Sequence, residues 1–181
     1  MPKVKYDPIV EASSYIKNNE KMFTDFAILS KEGKEFPCHR FILSSQSQAM
    51  MAMFTTNMKE KKEGQVKLEY SDEVVEKFVD YFYTLTVPRE VLKQNLDSFM
   101  TLSELYDLAP LKHQTEEVAF EQLTADNMVD MFVLSDQHNA DSLKEASEFF
   151  IKKNRDKLKE LDFIGCGYSA KVISDILRLL V

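Results

Sequence analysis

The sequence has no tryptophan, and among its 181 residues there are only four glycines, five prolines, three histidines and two cysteines. Each shortage removes a class of chemistry. So few glycines leave no phosphate-cradling loop: there is no GxGxxG, no Walker stretch and no GxSxG elbow. Cys38 and Cys166 are too few and too distant to build a disulfide framework or a zinc cluster. His39, His113 and His138 are not linked by any HExxH or CxxC spacing. Cys38 and His39 are adjacent, but strand alternation turns neighbours to opposite faces, so a core thiol beside a hydrogen-bonded histidine is expected there. No run reaches the ~18 continuous apolar residues of a membrane span. The opening MPKVKYDPIVEASSYIK lacks the apolar core of a signal peptide, which points to nucleus or cytoplasm. Positive charge is short as well: 23 Lys and Arg face 30 Asp and Glu, a net charge of −7, and an acidic chain lacks the field that nucleic acid requires. The densest basic stretch, Lys59-Glu-Lys-Lys62, reads as a solvated face. Its carboxylates, like those elsewhere, follow polar helix faces without forming an isolated pair. No catalytic, metal or cofactor site is expected, and the chain is not read as an enzyme.

What is present is periodicity. A chain of this length suits one domain with a closely packed extension. Asp7-Pro8 opens a short helix whose stripe, Ile9, Ala12 and Ile16, is narrow. Phe26–Ser30 and Glu35–His39 flank Lys31-Glu-Gly-Lys34, a hairpin signal. Arg40–Ser44 and Ala49–Phe54 are two short apolar helices, and Gln65–Tyr70 alternates as a half-buried strand. Ser71 caps a helix carrying Val74, Val75, Phe78, Val79 and Phe82 at three- and four-residue spacing. Leu92 to Leu108, Leu105 included, read as one helix ending before Pro110, and Val118, Phe120 and Leu123 mark another. Thr124 caps Ala125–His138. Asp141 caps a helix to Lys153 with Leu143, Ala146, Phe149 and Phe150 inward. Ser169 caps a last helix with Val172, Ile173, Ile176, Leu177 and Leu180 apolar. The mixed α/β part ends near residue 122, and an all-helical part follows.

Several of these stretches together resemble the BTB/POZ signature. They are Phe23-Thr-Asp25-Phe-Ala-Ile-Leu29, then Phe36-Pro-Cys-His-Arg40-Phe-Ile-Leu-Ser44, Met53-Phe54, Met58-Lys-Glu60, Val66-Lys-Leu68 and Phe82-Tyr83-Thr84. Leu134–Leu143 resembles a three-box and partial BACK region, and the likeness is greatest to the speckle-type POZ protein group. The fold implied is α/β and mainly helical: a BTB/POZ domain over 5–122, with a small sheet flanked by helices, then a helical three-box/BACK extension over 123–181. Two departures stand out. Leu85 follows the "Y-T" where the family commonly has glycine, and Gln46-Ser-Gln48 replaces the usual Arg-Ser-Pro.

The resemblance implies a non-catalytic adaptor of a cullin-3 ubiquitin ligase. Its cullin motif, an apolar residue, any residue, then glutamate, falls on Met58-Lys59-Glu60, and Phe54 and Leu108 join the implied surface for the N-terminal helices of cullin-3. It also implies a homodimer through Ile9, Ile16 and Ile42, and a structural ion pair between Asp25 and Arg40. Ile173 and Leu177 on the last helix suggest a second self-contact leading to a higher oligomer, with core packing as the alternative. Two other readings stay open: a BTB dimer recruiting transcriptional corepressors, and a truncated BTB protein competing with full-length adaptors.

Overall fold

The computed structural model describes residues 22–56, 58–158 and 168–179. The first-helix residues Ile9 and Ile16, and the Gly165-Cys166-Gly167 loop, lie outside the described residues. The chain forms two compact units, divided between Thr115 and Glu116.

The first unit is built on a three-stranded sheet. Strand β1 (Phe26–Leu29) alternates, burying Phe26 and Ile28 and leaving Ala27 and Leu29 half-covered. It pairs antiparallel with β2 (Glu35–Cys38) through a turn whose Gly33 sits at φ +88°. Open space surrounds Gly33, so the backbone angle alone calls for glycine there. Pro37 in β2 is tolerated because β2 is an edge strand. The chain then passes through three short helices, α1 (Arg40–Gln46), α2 (Gln48–Thr55) and α3 (Lys59–Glu63). It returns as β3 (Gln65–Lys67), parallel to β1, giving the order β2-β1-β3. The expected strand to Tyr70 is shorter than its alternation suggested, since Leu68 closes the ladder by donating to the Leu29 carbonyl at 2.8 Å.

Helix α4 (Asp72–Thr84) supplies the core, burying Val74, Val75, Phe78, Val79, Tyr81, Phe82 and Tyr83. Each large aliphatic or phenylalanine side chain so buried contributes about 1.5–3 kcal/mol. Ser71 caps it by accepting from the Val74 amide, and Asp72 holds the hairpin turn through Ser30 Oγ at 2.5 Å. Leu85 ends it in the left-handed region, φ +56°. The conformation that glycine adopts freely is thus kept by leucine, and Gln114 Nε2 secures it by donating to the Leu85 carbonyl at 2.7 Å.

The single helix expected over 92–108 is two, α5 (Arg89–Gln94) and α6 (Leu96–Leu105). Asn95 breaks it: its backbone leaves the helical region and its Nδ2 donates back to the Val91 carbonyl at 3.0 Å. Pro110 is no terminator. It lies in the first turn of α7 (Ala109–Gln122), where its missing N–H costs nothing.

In the second unit α8 (Met128–Gln137) starts three residues later than expected. Thr124 donates its amide and its hydroxyl to Asn127 Oδ1, so residues 124–127 form a turn. Helix α9 (Asp141–Lys153) buries Leu143, Ser147 and Ile151, a strict four-residue row, while Phe149, expected inward, is exposed. Ser147 occupies a core position because its hydroxyl is satisfied by the Leu143 carbonyl at 2.7 Å. After α10 (Arg155–Leu158), Ser169 caps α11 (Ala170–Leu179), which buries Val172 and Ile176.

Asp136 on α8 ties the unit together, accepting from Lys144 of α9 at 2.5 Å and Lys171 of α11 at 2.8 Å. The Lys144 hydrogen bond, then that of Lys171, holds the Asp136 carboxyl below its ordinary range. A lowered carboxylate pKa adds stability that is present above the unfolded value and lost as pH falls through the folded one. Asp136→Asn is therefore expected to lower the urea midpoint at about pH 7, at a cost of about 1 kcal/mol. That deficit should shrink as both proteins are taken below the ordinary carboxylate range, where the unfolded chain takes up the proton first.

Candidate protein-interaction surface

Asp25 and Arg40 are brought together, but not as the expected ion pair. Asp25 Oδ1 accepts from the Arg40 backbone amide at 2.8 Å, and Arg40 Nε donates to the Asp25 carbonyl at 3.1 Å. Each side chain thus serves the other's backbone. Asp25 satisfies an orphan N–H at the start of α1, where His39 gives no side-chain cap. Arg40 then reaches further: Nη2 donates to the Lys61 carbonyl of α3 at 3.2 Å. Its guanidinium lies over the rings of Phe26 and Phe54, 5.4 and 5.5 Å from their centroids. Those rings meet edge to face at 4.9 Å. One side chain therefore links β1, α1, α2 and α3.

Helix α3 carries the apolar-x-Glu triplet. Met58 sits at its N-cap with extended backbone, and its side chain is 44% exposed. Gly64 closes the helix at φ +70°, then gives its carbonyl to the Ala27 amide at 3.0 Å, pinning the far end to the sheet. Glu60 is half-buried. Burial first, then Tyr70, then the Glu60 charge push the Tyr106 phenol up to about 12.

Tyr106 is also reached by Ser47, which joins α1 to α2. Ser47 Oγ donates to the Tyr106 carbonyl at 2.5 Å while accepting from the Met50 amide at 3.1 Å. The join of α1 and α2 thus meets the end of α6 at Tyr106. Two exposed apolar side chains that the sequence reading missed stand at this junction. Met51 follows one turn after Ser47, and Leu105, 60% exposed, precedes Tyr106. Leu105 was counted with the apolar residues of its helix, and it lies only about 60° round the helix from fully buried Leu102, so spacing alone does not mark it as exposed. Phe54 is half-buried and engaged with Arg40 and Phe26. Leu108 is 1% exposed, so it supports the surface from beneath and offers nothing to a partner.

A second apolar patch lies beside His39. Ile42 is 8% exposed and packs inward, whereas its neighbour Phe41 is 79% exposed. Exposed Met22 and Phe23 are held near it, because His39 Nε2 donates to the Met22 carbonyl at 2.9 Å. That bond sets the tautomer, so Nδ1 accepts from the Tyr83 hydroxyl at 2.8 Å. Both ring nitrogens are spent on structure. Beside it the Cys38 thiol is buried and, through burial first and Asp25 second, pushed up to about 12, so it stays protonated. On α11, half-buried Ile173 and exposed Leu177 line, with Ala170, Ser174 and Arg178, an open cavity of about 440 Å³.

The sequence profile of the BTB/POZ domain matches residues 16–123, more than half of the chain. Kelch-like protein 38 of Danio rerio is 34% identical over 152 residues, 82% of this chain and 25% of that protein. Kelch-like protein 23 of Mus musculus is 31% identical over 127 residues, 70% of this chain and 22% of that one. Kelch repeat and BTB domain-containing protein 3 of Homo sapiens is 29% identical over 151 residues, 82% and 24%. The chain thus spans about a quarter of the length of these curated relatives. Two solved structures share the fold. The BTB domain of zebrafish PATZ1 has a TM-score of 0.51 at 16% identity and covers 62% of this chain and 89% of that one. The BTB domain of human Gigaxonin has a TM-score of 0.50 at 19% identity, covering 62% and 92%. The expected likeness to the speckle-type POZ group is not supported: these relatives are Kelch-like BTB proteins. On its sequence and its sheet-and-helix architecture, this chain belongs to the BTB/POZ family.

Proposed function

We propose that this chain is a non-catalytic adaptor module that docks the N-terminal helices of cullin-3 and pairs with a second copy of itself. The observation carrying the docking reading is the exposed Met58 side chain at the start of α3, with Met51 on α2 and Leu105 on α6 exposed as well. A flexible thioether fills irregular gaps in a partner's apolar face, and two neighbours enlarge the area excluded from water. Glu60, half-buried on the same short helix, can accept from a partner's donor. The Kelch-like relatives favour the same reading. Such a module accelerates no bond-making itself. It raises the local concentration of a bound substrate near a ubiquitin-transferring enzyme.

The self-pairing reading rests on Met22, Phe23 and Phe41, three large apolar side chains exposed around His39. An isologous contact would cover all three twice over. Phe41 takes the role first given to Ile42, which its own fold already buries.

In a pull-down with the cullin-3 N-terminal domain, Met58→Lys combined with Glu60→Ala should weaken binding at least tenfold, about 1.4 kcal/mol. Full retention of binding would refute the docking assignment. In sedimentation, Phe41→Lys is expected to convert a dimer to a monomer, and an unchanged dimer mass would refute the pairing face.

A further inference from the structure

Read along the sequence, Lys59-Glu-Lys-Lys-Glu63 is a nearly balanced charge run, a solvated face. The fold removes that balance. Glu63 is tied to Lys59, Oε1 to Nζ at 3.5 Å. Glu60 is half-buried, with its charge near enough to Tyr106 to help raise that phenol. The carboxylate of Asp25, close by, is engaged by the Arg40 amide. The exposed charges left without a carboxylate partner are positive. Lys62 is exposed and has no ion pair or hydrogen bond among the described residues. Lys61 is exposed and reaches the Thr55 carbonyl at 3.4 Å, and the Arg40 guanidinium lies against its own backbone carbonyl. Three cations therefore gather one turn from Met58, on a chain whose net charge is −7.

We propose that Lys61 and Lys62 form a cationic rim that steers an acidic segment of the partner onto the Met58 surface. The proposal rests on the adaptor reading and specifies the chemistry of the partner's matching face: an apolar helical stripe flanked by Asp or Glu. Exposed charges at the edge of an apolar contact act mainly on encounter. They bias diffusion toward the right orientation and are screened by salt, while the buried contact sets how long the complex lasts. A local role is available too, since cations at the end of α3 complement its carbonyls. That role needs no partner and no salt-dependent association rate.

The test is the association rate of the full chain with the cullin-3 N-terminal domain, measured at about 0.01 M and about 1 M salt, where the screening length falls from about 30 Å to about 3 Å. The steering account expects Lys61→Glu with Lys62→Glu to slow association about tenfold at low salt. Dissociation should barely change, and the two proteins should converge at high salt. An association rate that the substitutions leave unchanged, or a loss confined to dissociation, overturns the rim while leaving the docking reading intact. Absence of any binding by the wild-type chain overturns both.

Discussion

Everything that presents the candidate interaction surface depends on Arg40. A guanidinium is a planar fork with five donors, and this one directs two of them to the Asp25 and Lys61 carbonyls while its flat faces cover Phe26 and Phe54. A strand, two helices and the short α3 are locked by a single side chain. Helix α3 needs that help. Five residues make one turn and a fraction, far below the length at which a helix holds itself. Without the grip on Lys61 and the Gly64 carbonyl on β1, the Met58 triplet would be a fluctuating loop.

The second constraint is Tyr106. It receives Ser47 on its carbonyl, and its ring sits in the core beside Phe78, 5.3 Å between centroids. The hydroxyl end faces Tyr70 and Glu60. A buried aromatic with a polar tip can anchor a core and face a surface charge at once. Here that joins the hydrophobic centre of the first unit to the rim of the candidate docking face.

The long amphipathic elements were legible. Helix α4 and the cap at Ser71 appear where the spacing placed them, because a seven-residue apolar face tolerates only one orientation. What escaped was local polar bookkeeping. Asn95 splits a continuous apolar pattern by satisfying the Val91 carbonyl, Thr124 and Asn127 consume a turn, and Ser147 enters a core row by bonding its own helix. Periodicity counts apolar residues and is blind to such bonds. At the interaction surface, Met58 was found through a motif, while Met51 and Leu105 were hidden because an exposed apolar residue looks like a core residue in a string. Ile42, named by the resemblance for self-pairing, is buried, and its neighbour Phe41 is exposed. On a seven-residue helix the inward face cannot be told from its neighbour by spacing alone. Leu85 shows the converse: where the resemblance leads one to expect glycine, leucine itself takes up the left-handed conformation.

The most direct test is to keep the charge and remove the fork. In Arg40→Lys, hydrogen exchange at the Gly64 amide, which bonds to the Glu60 carbonyl, should speed up about tenfold as α3 loosens, with the amides of α4 still protected. If Gly64 exchanges at the wild-type rate in that variant, Arg40 is not what holds α3 in place, and the account of how this surface is presented is wrong.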